Sequence, residues 1–167
     1  VTLMPADHFT VEMEIKFDSA VVDQQNLHLG VVNGAFCKEL ARARTFGFLH
    51  EVEAMRAVGL AKGGSLENAI VISGDTIMNE DGLRFDDEFV RHKALDAVGD
   101  MYLAGGQVLG AFSGIKSGHA LNNKLLRALF SDPTAWAYDT LSALDSDNVP
   151  NGGIDADLPE LAIAVGA

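Results

Sequence analysis

Residues Phe9–Phe17 read FTVEMEIKF, and the stretch alternates without a break. Phe9, Val11, Met13, Ile15 and Phe17 fall on one side, and Thr10, Glu12, Glu14 and Lys16 on the other. Successive strand side chains point to opposite faces, so this is a half-buried strand with one face on a core and one in water. Such a sheet needs a second layer over its apolar face. The expected fold class is therefore α+β, a two-layer sandwich of a mostly antiparallel sheet with helices on one face.

Working outward, NGAFCKELARAR (33–44) reads as a short helix with Asn33 as N-cap, followed by extended TFGF (45–48). HEVEAMRAVGLAKGG (50–64) reads as a second helix closed by Gly59 or by the Gly63-Gly64 pair. NAIVISG (68–74) is a buried strand, and NEDG (79–82) a turn. A long helix is expected from about Phe85 to Ala104, with Phe85, Phe89, Leu95, Val98, Met101 and Leu103 toward the core, and Gly105-Gly106 ending it. QVLGAFSGIK (107–116) reads as a strand, and SGHALNNKLLRALF (117–130) as a helix whose first turn follows Ser117. From Ser131 onward Asp, Ser, Gly, Asn and Pro dominate, and residues 137–167 read as an acidic, weakly ordered tail.

Composition excludes several classes. The chain has 167 residues, 48% of them apolar, with no run of 18 uninterrupted apolar positions, so one good core is expected and no membrane span. The formal charge of −12 is uneven: all bases lie at or before Arg127, and Asp132, Asp139, Asp145, Asp147, Asp155, Asp157 and Glu160 follow it. No clustered basic face suggests nucleic acid. Cys37 is the single cysteine, which leaves no disulfide framework or thiolate zinc site and fits a reducing compartment. The sequence opens VTLMPADHF, with no recognisable export signal, and the absence of Met at position 1 suggests a piece of a longer chain.

Three places carry candidate chemistry. In FDDEFVRHKALDAVGD (85–100), helical spacing sets Glu88, His92, Asp96 and Asp100 on one stripe. His92 and Asp96 stand at i and i+4, a spacing from which one helix offers two ligands to a divalent metal; the same spacing also describes an ordinary surface pair. In KSGHALNN (116–123), His119 falls in a helix's first turn, and a general acid there needs a carboxylate neighbour, for which Asp100 is the candidate. A histidine that only caps or packs is the other reading. In ARARTFGF (41–48), Thr45 is placed to donate to a developing oxyanion or simply to start a strand.

ARTFGF, GLAKGGSLENAIV, NEDGLRFDDEFVRHKALDAVGD and IKSGHALNNKLL occur in that order. Together they closely resemble the second domain of the UDP-3-O-acyl-N-acetylglucosamine deacetylases, zinc enzymes of lipid A synthesis, over about Phe9 to Trp136. The resemblance implies a C-terminal deacetylase domain at 1–136, with a β-α-β insertion at about 48–73 forming a passage for the substrate's acyl chain. It implies zinc, or iron in its place, on His92 and Asp96; Lys93 holding substrate and charged intermediate; His119 as general acid supported by Asp100; and Thr45 stabilising the oxyanion. Phe48, Val52, Ala61, Ser65 and Val71 would line the passage, Phe17 would stack on uracil, Lys116 would reach the nucleotide, and Phe46 would contact substrate. Lys16 and Asp18 depart from the family's Asp and Asn. In the family a first domain supplies the third ligand, a histidine, and a glutamate base. No V-E-H-like segment occurs here, and His8, His28 and His50 are the other histidines. Two expectations follow: the C-terminal part of a cytoplasmic zinc amidohydrolase acting on UDP-3-O-acyl-N-acetylglucosamine and inactive alone, or a binding module with a vestigial metal pair.

Overall fold

The computed structural model describes residues 1–140 and 161–166, with only the backbone at 139, 140 and 161. The strand that opened the sequence reading is β2 (Thr10–Lys16), preceded by β1 (Thr2–Pro5) and paired antiparallel with β3 (Gln24–Gly30). Its inward row, Val11, Met13 and Ile15, is buried as the alternation requires. Next comes a β-α-β unit of β4 (Thr45–Phe48), α1 (Leu49–Ala57) and β5 (Ala69–Ser73), in which β4 and β5 are parallel and β6 (Thr76–Ile77) adds an antiparallel edge. Helix α2 (Glu88–Met101), β7 (Gln107–Ile115), α3 (His119–Ser131), β8 (Trp136–Thr140) and β9 (Leu161–Val165) complete the order.

The larger sheet runs β3-β2-β7-β9-β8, with β1 also pairing with β7. Helix α2 lies over β2 and β3 and packs on α3, which makes the two-layer α+β sandwich. Phe89, Val90, Ala94, Ala97, Val98 and Met101 of α2 meet Val11, Met13, Phe112 and Leu126 in one core. Among the described residues, four of the seven strand pairings are antiparallel, and β2–β7, β4–β5 and β7–β9 are parallel. The β2–β7 pair can run parallel because the β-α-β unit and α2 lie between these strands in sequence and provide the crossover.

Four local expectations are corrected. Asn33 is not an N-cap: it has a left-handed φ of 49° in a turn, and only Phe36–Leu40 coils, as a π-helical turn. Helix α2 begins at Glu88, not Phe85, and tightens after Met101 into a 3₁₀ turn ended by Gly105 at φ 86°. Leu103, on that turn, is therefore exposed rather than part of the core. The weakly ordered tail expected from residue 137 contains ladder at both described ends: β8 and β9 pair antiparallel, with Ala162 and Ile163 fully buried. Apolar LAIAV gains burial and ladder bonds by lying beside β7; residues 141–160 of that expectation lie outside the described residues.

One ion pair joins the two halves of this framework. Glu88, at the start of α2, is fully buried and accepts from the Arg44 backbone N–H at 2.9 Å, Arg44 Nε at 3.0 Å, Arg44 Nη2 at 3.1 Å and the Arg84 N–H at 2.6 Å. Burial alone would raise the carboxyl, but the bonds from Arg44 and Arg84 outweigh it and hold Glu88 below its ordinary range. A depressed carboxyl contributes stability that is fully present above its unfolded pKa and is lost as pH falls through the lower folded one.

Glu88→Ala is expected to cost about 3–5 kcal/mol near neutral pH, because it leaves a buried guanidinium unpaired. Urea unfolding from about pH 7 to pH 3 should show that deficit shrinking in acid, as the wild-type carboxyl protonates. Phe89→Ala should cost a similar ~3–5 kcal/mol with no such pH dependence, since it removes only apolar packing.

Candidate active site

Helix α2 sets His92, Lys93 and Asp96 along one side of a cleft of about 360 Å³. His92 Nε2 lies 3.4 Å from Asp96 Oδ1, and His92 Nδ1 lies 3.3 Å from the carbonyl of Ala43. Both neighbours can only accept, and the closer approach, to the Ala43 carbonyl, favours the neutral tautomer with its hydrogen on Nδ1 and its lone pair on Nε2. Burial pushes the His92 pKa down more than nearby Asp96 pushes it up, which favours this neutral ring. Lys93 Nζ donates to Asp96 Oδ2 at 2.7 Å.

The opposite wall comes from α3. Extended Gly118 precedes the helix, and its first residue, His119, reaches back to α2. His119 Nδ1–H donates to Asp100, with its oxygens at 2.9 and 3.0 Å, and Asn122 Nδ2 donates to the same carboxylate at 2.8 Å. The other ring nitrogen of His119 lies 3.9 Å from Asp96 Oδ2. Thr45, Phe46 and Phe48 of β4, with Phe17, complete the cleft walls.

Two further spaces adjoin the cleft. Thr45, Phe46 and Gly47 also line a mainly apolar cavity of about 480 Å³ between α1 and the small sheet, together with Val52, Ala61, Ser65 and Val71. Phe48, expected in that passage, lines the polar cleft instead, with its ring 6.1 Å from that of Phe17; strand alternation turns it away from Val71's side. Beyond Phe17 lies an open cleft of about 530 Å³ bordered by Lys16, Asp18, Asp23 and Lys116.

His92 Nε2 and Asp96 suit two positions of a zinc site. With metal bonds of about 2.0–2.1 Å in tetrahedral array, neighbouring ligand atoms stand roughly 3.3–3.4 Å apart, close to the separation seen here. Among the described residues, no group of three His, Cys, Asp or Glu side chains is arranged to hold a metal ion. Nor do His8, His28 or His50 line the cleft.

Residues 1–131 match the family described as LpxC, UDP-3-O-acyl N-acetylglycosamine deacetylase. The chain belongs to this family. It is 56% identical over 140 residues to a UDP-3-O-acyl-N-acetylglucosamine deacetylase of Phenylobacterium zucineum, covering 84% of this chain and 48% of that protein. With proteins of the same name it is 50% identical over 153 residues in Neisseria meningitidis (90% of this chain, 49% of the relative) and 55% over 130 in Stenotrophomonas maltophilia (78% and 42%). The chain thus spans about half the length of these curated relatives.

For this deacetylase-family chain, geometry places Thr45, Phe46, Phe48, Phe17, His92, Lys93, Asp96 and His119 around one cleft, with Asp100 behind His119. Val52, Ala61, Ser65 and Val71 stand on the apolar cavity, and Lys116 beyond Phe17. Glu88, on the same stripe, does not line the cleft but is buried on Arg44. Sequence reading missed Asn122, although three-residue spacing from His119 on a helix could have signalled it. It also missed the Ala43 carbonyl, which no side-chain pattern reveals.

In an NMR titration of the metal-free protein, His92 is expected to titrate below the ordinary histidine value of about 6.5. Phe46→Leu preserves the burial and should leave that titration nearly in place.

Proposed function

We propose that this chain supplies part of the active site of a cytoplasmic zinc-dependent deacetylase, which hydrolyses the N-acetyl group of UDP-3-O-acyl-N-acetylglucosamine and releases acetate in lipid A synthesis. The observation that carries this reading is the meeting, at Thr45, Phe46 and Gly47, of a proton-transfer cleft with an apolar cavity. An acylated sugar nucleotide needs both spaces, plus a seat for its nucleotide, and Phe17 with Lys116 borders a third space beside them. The curated relatives carry the corresponding name. No helix among the described residues is long and apolar enough to cross a membrane.

His92 and Asp96 would hold zinc, or Fe²⁺ in its place, with a histidine ligand and a glutamate base from the part of the protein that the relatives have beyond this match. When bound, such an ion supplies Lewis acidity, which activates water and polarises an amide carbonyl. The chain's own residues do the remaining work. The Thr45 hydroxyl and the Lys93 ammonium take up negative charge on the acetyl oxygen. His119, held through Nδ1–H by Asp100, delivers the proton on Nε2 to the departing sugar nitrogen. The apolar cavity holds the acyl chain, each buried CH₂ contributing about 0.8 kcal/mol.

Calorimetric zinc titration of the intact protein should give one-to-one binding that Asp96→Ala abolishes, while the 167-residue chain alone binds in the micromolar range or worse. In the deacetylation assay, His119→Ala should lower kcat by about 10²–10⁴-fold. Undiminished turnover in that variant would remove His119 from the chemistry. Absence of turnover in the zinc-loaded wild-type protein would leave only a binding module. Val71→Trp should fill the cavity and raise KM steeply for long acyl chains, against a normal gain of about fourfold per CH₂.

A further inference from the structure

We infer that the buried Arg44–Glu88 pair is a positioning device for His92: it clamps the segment whose Ala43 carbonyl fixes the ring's tautomer and keeps Nε2 free as a ligand atom. The metal part of this inference rests on the proposed function; the tautomer part does not.

The clamp acts from both ends. Glu88 takes three bonds from Arg44, and the remaining Arg44 contacts run to the Gly82 carbonyl at 2.7 Å and to Asp81 at 3.7 Å. On the other side the Arg84 guanidinium donates to the Arg42 carbonyl at 2.9 Å, and the Ala43 N–H is bonded to the Leu40 carbonyl at 2.9 Å. Residues 42–44 thus have few ways to shift. Glu88 is also the first residue of α2, and His92 follows it by about one 5.4 Å turn on the same side of a rigid helix. Anchoring Arg44 at position 88 therefore carries the preceding carbonyl to the ring at position 92, where Nδ1 meets it at 3.3 Å.

The alternative state has its own partner. If the Ala43 carbonyl withdrew, a neutral ring could carry its hydrogen on Nε2 and donate to Asp96 Oδ1, 3.4 Å away. That would consume both candidate ligand atoms in one hydrogen bond. The clamp decides between two neutral forms of the same ring, and partners behind a ligand commonly set its orientation in this way. An apolar pair could fill the same volume, often at no loss of stability, but it could not grip the backbone N–H of Arg44.

The test is long-range ¹H–¹⁵N NMR of histidine-labelled, metal-free intact protein, followed by zinc titration. Wild type should show His92 as the Nδ1–H form. Glu88→Gln and Arg44→Lys should populate the Nε2–H form and weaken zinc binding about 10–100-fold. Arg84→Ala, a cut at an exposed side chain that should fold even if the buried variants do not, should shift the same signals by a smaller amount. Leu129→Ala on α3 should lower stability and leave the His92 signals unchanged. An unshifted Nδ1–H form in folded Glu88→Gln or Arg44→Lys, or an Nε2–H ring in wild type, overturns the inference. A tautomer shift in a protein that binds no zinc in any variant supports the positioning role and defeats the zinc reading instead.

Discussion

A single carboxylate with no exposed surface holds the small sheet and the long helix in one frame. Glu88 accepts from Arg44 and Arg84, so the start of β4 and the start of α2 cannot move independently. The candidate cleft lies downstream of that joint on both elements: Thr45 follows Arg44 directly, and His92 follows Glu88 by one turn. Such a buried charge is expensive to desolvate, and four hydrogen bonds offset the cost. The cleft's geometry is thus set by groups that do not line it.

Two aspartates one turn apart, Asp96 in the cleft wall and Asp100 behind His119, have different surroundings. Asp100 is shared by His119 and the buried Asn122, which orients the histidine's far nitrogen toward the cleft. Asp96 is contested: Lys93 binds one oxygen, and His92 and His119 stand near at 3.4 and 3.9 Å. Lys93 competes for one Asp96 oxygen, while the other, beside the His92 ring nitrogen, is of the type that ligates a divalent cation. The neighbouring cavity has the opposite character, with Val52, Ala61 and Val71 in its wall. The two spaces meet along β4, where Thr45, Phe46 and Gly47 border both and Phe48 borders the cleft but not the cavity.

Much of this was legible in one dimension. The alternation of Phe9–Phe17 specified a strand with its buried face, and RHKALD specified two side chains on one helical face, because backbone geometry alone fixes periods of two and of 3.6. Gly59 and Gly105 marked helix ends because their left-handed φ angles of 83° and 86° suit glycine. The motifs also identified the family and most of the residues that border the cleft. What local pattern could not supply was partnership across long sequence separations. Glu88 and His92 belong to the same helical stripe, yet one is buried on Arg44, 44 positions away, and the other borders the cleft. LAIAV looked like tail until β7 offered it an unpaired edge. The sequence by itself determined the strands, the helices and which side chains could share a face; tertiary structure decided which of them meet, because burial and hydrogen bonding are settled by partners that periodicity does not encode.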